Sequence, residues 1–334
     1  MNAKEAGWFL FRSLTAMTLV FGICQAAQAG SPHSVAQMVV TVQSRGDSLG
    51  RVLQPDDLTV YQGRSLRRVT SLERLSGEQS PTELFVYVDG SAGVETLQTL
   101  LPDLKAFVRT LPGTTEVGVG SLRSGESPIR QAFTDDREKT IDALDALTKA
   151  PGDSGSSYSA LLYLAKHWPS QNPTSRRAVL MLTDGRDSNH ALSATDPYVE
   201  AATRNTQIAG IAVYSIYVGT PGSYTASDWI TNAAQSNLLA LSNATAGHFY
   251  SEGLSAPVSL TPYLRDLTER LSHQYRITFE SRDDAGAQTV KVQTAMPGVS
   301  IIAPTRLYIL RERGEQVAKN VEPSRLMTSA QEGQ

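Results

Sequence analysis

The sequence predicts a doubly wound, mostly parallel α/β sheet with flanking β-sandwich-like segments from both termini. Continuous apolar runs alternate with leucine-rich stripes of helical spacing between residues 81 and 275, a pattern typical of a parallel sheet covered by helices. Before and after this block, apolar residues alternate with period two, as in half-buried strands. Hydrophobic residues make up 40% of the 334-residue chain and charged residues 19%, which leaves ample material for a core.

Each element follows from its local pattern. Residues 84–88 and 178–182 are unbroken apolar runs, as expected for strands buried on both faces. Pro102 lies inside the leucine stripe that follows the first run, and we expect it to kink that helix. The other expected strands are at 39–42, 58–61, 66–75, 117–120, 211–218, 248–250, 275–279, 289–292 and 306–310, and the expected helices are near 97–108, 141–147, 161–168, 227–247 and 260–271.

The chain divides into five predicted segments. These are a signal peptide at 1–29, an N-terminal β segment at 30–80, a central α/β domain at 81–275, a C-terminal β segment at 276–311 and a disordered tail at 312–334. We expect the strands of the two β segments to form one sandwich, with residues 283–286 as a candidate hairpin turn. The tail is polar and has no periodicity, which favours disorder over a packed element.

The first 29 residues have the pattern of a secretory signal peptide. Lys4 and Arg12 supply a positive start, an apolar run extends from Leu14 to Cys24, and Ala27-Gln28-Ala29 is a small-x-small cleavage motif. The apolar run is shorter than the roughly 20 residues that a membrane-spanning helix needs. The sequence therefore predicts export to the periplasm or the extracellular space, with no stable membrane span after cleavage. An uncleaved anchor is the alternative.

Composition excludes several classes of function. Lys and Arg number 30 against 33 Asp and Glu, for a net charge of −3, so a basic surface for nucleic acid is not expected. Cys24 is the only cysteine, which excludes a disulfide scaffold, a cysteine-based zinc site and a thiol nucleophile. The phosphate-loop motif is absent from the sequence, and nucleotides are scarce outside the cytoplasm, so we expect no nucleotide cofactor.

Two aspartates mark the candidate site. Asp89 and Asp184 each come at the end of a predicted parallel strand, and the carboxyl ends of such strands form the ligand crevice of open α/β sheets. Ser91 and the hydroxyl-rich loop at 152–157 are expected at the same rim. Carboxylate, hydroxyl and water oxygens suit a hard cation, Mg²⁺ or Ca²⁺. An open coordination position on that ion would accept a carboxylate from a partner.

At these residues the chain resembles the von Willebrand factor type A family. The similar stretches are 89–93, with Asp-Gly-Ser-Ala-Gly, the loop 152–157, and 182–185, with Leu-Thr-Asp-Gly. Over residues 36–310 the chain resembles the exported subgroup of that family described from acidobacteria. The resemblance implies a Rossmann-like fold and a metal ion-dependent adhesion site that engages a protein ligand.

The chain departs from the family pattern at two positions. Gly93 replaces the second serine of the first motif, and the loop threonine is absent. Ser156 is the best substitute for that threonine, with Ser154 and Ser157 left open. The metal ligands expected from the resemblance are therefore Asp89, Ser91, Ser156 and Asp184. The alternative is that the two aspartates only accept backbone hydrogen bonds in their loops, with no ion.

The leading functional prediction is a non-enzymatic, adhesion-type binding module for a protein or cell-envelope ligand that presents a carboxylate. A metal-independent structural or assembly component of the cell envelope is the alternative. A serine hydrolase is the third, because residues 152–155 copy the nucleophile box of trypsin-like proteases and His190, which comes shortly after Asp184, is expected near the rim. Tyr214, Tyr217, Tyr224 and Trp229 are either a recognition surface or core residues.

Overall fold

The computed structural model describes residues 34–44, 53–76, 80–121, 128–149, 155–172, 174–186, 198–219, 228–281 and 286–309. The predicted signal peptide at 1–29 and tail at 312–334 lie outside these residues. So do Ser154, His190 and Tyr224. Of the helices in the described ranges, none combines the length and the apolar character that crossing a membrane requires.

The chain forms fourteen strands and six α-helices within the described residues. The strands are β1 (Ser34–Ser44), β2 (Leu58–Gln62), β3 (Ser65–Arg67), β4 (Val69–Arg74), β5 (Thr82–Val88), β6 (Thr115–Gly120), β7 (Ile129–Thr134), β8 (Arg176–Thr183), β9 (Ile211–Tyr217), β10 (His248–Tyr250), β11 (Gln274–Ser281), β12 (Gly286–Thr294), β13 (Val299–Ile302) and β14 (Arg306–Ile309). The helices are α1 (Val94–Thr110), α2 (Arg137–Lys149), α3 (Ser157–Lys166), α4 (Val199–Ile208), α5 (Asp228–Ala244) and α6 (Thr261–Ser272).

The central sheet has six strands in the order β10-β9-β8-β5-β6-β7. Only β7, at one edge, is antiparallel to its neighbour. One buried cluster packs α1, α2 and α6 against one face of the sheet, and a second packs α3, α4 and α5 against the other. Every residue of β5 is buried, because helices cover both of its faces. The predicted doubly wound α/β fold is confirmed.

The flanking strands form two four-stranded sheets, β13-β1-β11-β4 and β14-β12-β2-β3. Each sheet contains strands from both ends of the chain, and their inner residues share one apolar cluster that includes Val40, Val60 and Phe279. The expected sandwich of the two β segments is therefore present. The hairpin expected around 283–286 is wrong: β11 and β12 belong to different sheets, so the connection passes from one sheet to the other.

Some elements differ from the expected pattern for local reasons. The predicted strand at 66–75 is divided at Arg68, because β3 pairs with β2 in one sheet and β4 pairs with β11 in the other. Three elements lack a sequence signal: β7 and β13 have no fully buried residue, and α4 buries only Ala202, Thr206 and Gln207. Pro102 lies inside α1, whose helical residues continue on both sides of it.

A buried carboxyl group anchors the start of β5. Glu83 has no exposed surface. Its side chain accepts hydrogen bonds from Trp168 Nε1 and Ser170 Oγ, each at 2.6 Å, and Arg177 Nε lies 3.7 Å from Glu83 Oε2. Because a buried charge is costly without partners, these three groups make Glu83 compatible with the sheet interior. They also tie the segment after α3 to the central strand.

We expect Glu83→Ala to lower the free energy of unfolding by about 3 kcal/mol, since it leaves buried donors and a cation without their acceptor. Glu116 is the matched control, because it is the register partner of Glu83 on β6 and is exposed. Glu116→Ala should change stability by less than about 0.5 kcal/mol. Urea unfolding of both variants checks this, and equal losses would contradict the assignment.

Candidate functional site

The candidate site lies where the winding of the central sheet reverses. From β5 the chain adds β6 and β7 on one side, and then crosses over to add β8, β9 and β10 on the other. The carboxyl ends of β5 and β8 therefore flank the topological switch point, where open α/β sheets form their ligand crevice. Asp89 directly follows β5, and its backbone N–H donates to the carbonyl of Leu182 on β8 at 2.9 Å. Asp184 follows β8, so the two aspartates share one rim.

Two hydroxyl groups meet at the Asp89 carboxylate. Ser157 Oγ donates to Asp89 Oδ2 at 2.5 Å, and Thr183 Oγ1 donates to the same oxygen at 2.7 Å. The two hydroxyl oxygens are 2.9 Å apart, and all three side chains are buried. Thr183 Oγ1 also accepts the backbone N–H of Gly185 at 2.9 Å. This cluster joins the end of β5, the end of β8 and the start of α3.

Asp184 lies in a tight turn beside the cluster. Its Oδ1 accepts the backbone N–H of Arg186 at 3.0 Å, and Gly185 between them has a φ of 67°, which favours glycine. Tyr217 ends β9, the next strand along the sheet. Burial of its phenol, followed by the negative charge of Asp184, raises the pKa of Tyr217 above the ordinary tyrosine value. The negative charge of Asp184 therefore also acts on the carboxyl end of β9, in addition to the ends of β5 and β8.

The structure separates the roles of the two adjacent serines. Ser156, the preferred loop ligand from sequence, caps α3: its side chain accepts the N–H of Ser159 at 3.2 Å. Ser157, the first residue of that helix, contacts Asp89 instead. Thr183 is a site residue that the sequence does not predict, although it directly precedes Asp184. Ser91 lies in a short 3-10 helix, Gly90–Ala92, directly after Asp89; its side chain is outside the described part of the structure.

Backbone conformation is consistent with the glycine that replaces the second motif serine. Gly93 precedes α1 with a φ of 76° and a ψ of 154°. This region of backbone space is adopted almost only by glycine, and an L-residue there is strained. A serine at position 93 would therefore be strained on the path that the chain takes from Asp89 into α1.

The groups present fit a hard cation by their chemistry. Asp89, Asp184, Ser157 and Thr183 supply carboxylate and hydroxyl oxygens, the ligands that Mg²⁺ and Ca²⁺ prefer. A hydroxyl that donates its proton to a carboxylate keeps lone pairs with which it can bind a metal. No group of three or more His, Cys, Asp or Glu side chains with metal-binding geometry occurs among the described residues. An ion here would therefore depend on hydroxyl and water oxygens as well as on carboxylates.

The aromatic candidates do not form a common surface. Tyr214 and Tyr217 are fully buried in the clusters on opposite faces of the central sheet, as the core-packing alternative expects. Trp229, on α5, is 55% exposed.

Gly155 is the member of the protease-like box that lies within the described residues, so the structure adds no support for a nucleophile there.

Comparison with known proteins finds distant structural similarity. No family model and no curated protein matches the chain. An aerotolerance-related membrane protein from Bacteroides fragilis aligns with a TM-score of 0.43 at 15% identity, covering 57% of this chain and 98% of that one. A von Willebrand factor type A protein from Catenulispora acidiphila gives a TM-score of 0.43 at 11% identity, covering 84% and 75%. The pilus adhesin SpaC from Lactobacillus rhamnosus GG gives 0.44 at 11% identity, covering 79% and 48%.

These similarities are too weak to transfer a function. The class of the protein is defined by its own strand order and crossovers, which are those of a doubly wound α/β domain. The fold that the type A resemblance implies is therefore present. Membership of the exported acidobacterial subgroup stays a prediction.

We expect Gly185→Ala to distort the Asp184 turn. An added Cβ would lie 2.8 Å from the buried Leu238 side chain, at a backbone φ of 67°. Gly63 is a matched control, because its φ is 60° and no atom lies within 4 Å of an added Cβ. Gly63→Ala should cost about 1 kcal/mol of stability and Gly185→Ala about 3 kcal/mol. Thermal or urea unfolding measures both, and equal costs would show that contact with Leu238 is unimportant.

Proposed function

We propose that this chain is an exported, non-enzymatic binding module whose rim holds a divalent cation and uses it to engage a carboxylate on a protein or cell-envelope partner. The observation that carries the proposal is the Asp89 cluster at the switch point of the sheet. It brings a buried carboxylate and two hydroxyl groups to one place, beside the loop of Asp184. Export rests on the signal-peptide pattern of residues 1–29.

Electrostatics favour a cation at this rim. Asp89 and Asp184 are 2% and 4% exposed, and burial is costly for charged carboxylates. Two carboxylates on adjacent strand ends also repel each other. A divalent ion would offset both costs, and the ion would retain affinity for one more anionic oxygen if a coordination position stayed open. A partner's carboxylate is the chemistry that fits this position.

The residues proposed to hold the ion are Asp89, Ser91, Asp184 and one serine of the 156–157 pair. The contact with Asp89 favours Ser157, while the helix cap occupies Ser156. When bound, the ion would supply a Lewis-acidic point for the partner's carboxylate. The chain's own residues would orient the ion, and the hydroxyl protons on Asp89 would fix the direction of its carboxylate.

Asp89→Asn tests the metal site with little change in shape. Because the variant removes the negative charge, we expect the affinity for Mg²⁺ and Mn²⁺ to fall at least about tenfold in titration calorimetry. Asp136→Asn is the control, since Asp136 caps α2 through the backbone N–H groups of Glu138 and Lys139. Asp136 comes after the end of β7. Because β7 is antiparallel to β6, this end lies beside the start of β6, at the end of the sheet away from the rim. Wild-type affinity in Asp89→Asn would refute the site.

The two serines give a second, finer test. Ser157→Ala should weaken cation binding at least about fivefold, because it removes a hydroxyl from Asp89. Ser156→Ala should leave cation affinity nearly unchanged and cost about 1 kcal/mol of stability through the lost helix cap. Parallel calorimetry and urea unfolding separate the two effects. If Ser156→Ala weakened cation binding and Ser157→Ala did not, Ser156 would be identified as the ligand.

A metal-independent structural or assembly component of the cell envelope is the second candidate. One observation favours it: Asp89 and Asp184 already accept hydrogen bonds from neighbouring groups, so the rim is partly satisfied without an ion. Partner capture from envelope extract, with and without a chelator, separates the candidates. Chelator-insensitive capture and no thermal shift with divalent ions would favour the second.

A further inference from the structure

A cavity of about 400 Å³ lies at the other end of the central sheet from the rim. It is bounded by the starts of β8 and β9 and by β1 and β11 of the flanking sandwich. Because β8 runs from Arg176 to Thr183, the cavity and the Asp89 cluster are separated by the length of that strand, roughly 23 Å at 3.3 Å per residue. The cavity is therefore not part of the rim site.

The wall of this cavity is strongly positive. Arg176, Arg177, Arg276 and Arg306 line it, and none of the described residues that line it is Asp or Glu. Arg177 lies near Glu83, and Arg276 pairs with Glu73 outside the lining. Among the described residues, no ion pair with a carboxylate involves Arg176 or Arg306. Arg306 is exposed at the surface, which connects the cavity to solvent.

Two buried donors in the wall have no hydrogen-bond partner, namely Arg176 Nε and Ser175 Oγ. The other two nitrogens of the Arg176 guanidinium are held by the protein: Nη1 donates to the carbonyl of Leu271 at 2.7 Å and to Gln274 Oε1 at 3.0 Å, and Nη2 donates to the carbonyl of Ser80 at 3.3 Å. Burial lowers the pKa of Arg176 to about 10, which leaves it charged at neutral pH. The guanidinium is therefore a fixed positive charge in the wall of the cavity, and such a charge favours an anionic ligand.

Part of the wall is apolar. Met38, Ile211 and Leu307 line it, and Met38 and Ile211 belong to buried clusters. The volume is within the range of small-molecule sites, which combine apolar walls with a few polar groups that orient the ligand. A ligand that matches this wall has an anionic head and an apolar body.

We infer that this cavity binds a small organic anion, with a carboxylate or phosphate head held by Arg176 and Arg306 and a short apolar body against Met38 and Leu307. Carboxylates and phosphates both present two terminal oxygens that a guanidinium recognises through paired N–H groups. The site is independent of the cation proposed at the rim.

Titration calorimetry of the full chain with phenyl phosphate and with benzoate tests the inference and separates the two head groups. We expect at least one to bind, with affinity falling as salt rises, and the neutral analogue benzyl alcohol not to bind. Inorganic phosphate should bind at least fivefold more weakly than phenyl phosphate if the apolar wall contributes. Failure of both phenyl phosphate and benzoate to bind at millimolar concentration would overturn the inference.

Arg306→Gln locates the site. Since Arg306 is exposed, this variant should fold normally, and we expect at least a fivefold loss of affinity for the probe. Arg265→Gln, at an exposed arginine on α6 outside the cavity lining, is the matched control and should bind as wild type does. Arg176→Lys keeps the charge but removes the planar, fixed guanidinium, and should also weaken binding. Equal binding by wild type, Arg306→Gln and Arg176→Lys would overturn the inference. Asp89→Asn should leave binding of the probe unchanged, because Asp89 lies at the rim and not in the cavity. This variant therefore separates the test of the cavity from the test of the rim.

Discussion

The parallel pairing of β5 with β6 on one side and β8 on the other fixes the position of the Asp89 cluster in this molecule. It places β5 at the point where the winding of the sheet reverses. Helices cover both faces of the strand, so polar groups are confined to its ends. Glu83 near one end and Asp89 beyond the other are both buried, and each is surrounded by donors from different parts of the chain. The strand therefore has a structural end and a candidate functional end.

The candidate functional end is organised by hydrogen bonds to one carboxylate oxygen. Ser157 and Thr183 are 26 residues apart in the chain, and each reaches Asp89 from a different element. Their protons stabilise the charged carboxylate, and their oxygens remain as donors of electron pairs. The same arrangement suits a set of cation ligands and also a loop whose polar groups are fully hydrogen-bonded without a metal. A measurement of cation affinity distinguishes these two interpretations of the rim.

The fold was predictable where burial leaves a long signature in the sequence. The apolar runs at 84–88 and 178–182 lie within β5 and β8. Because these strands are parallel neighbours in the sheet, the aspartates that follow them lie at the same rim. The edge strand β7 and the alanine- and threonine-rich α4 carry no such signature, because tertiary contacts select them. The choice between Ser156 and Ser157 depends on where α3 begins, and single-residue helix boundaries are not fixed by periodicity.

Helix α3 is attached to β5 at both of its ends. Ser157, its first residue, bonds to Asp89, while Trp168, two residues beyond its last, bonds to Glu83. Both ends of α3 are therefore held to the central strand through buried polar contacts, and the apolar residues between them pack on the sheet. The orientation of this helix on the sheet is fixed at two separate points, so its outer face has a defined position relative to the rim.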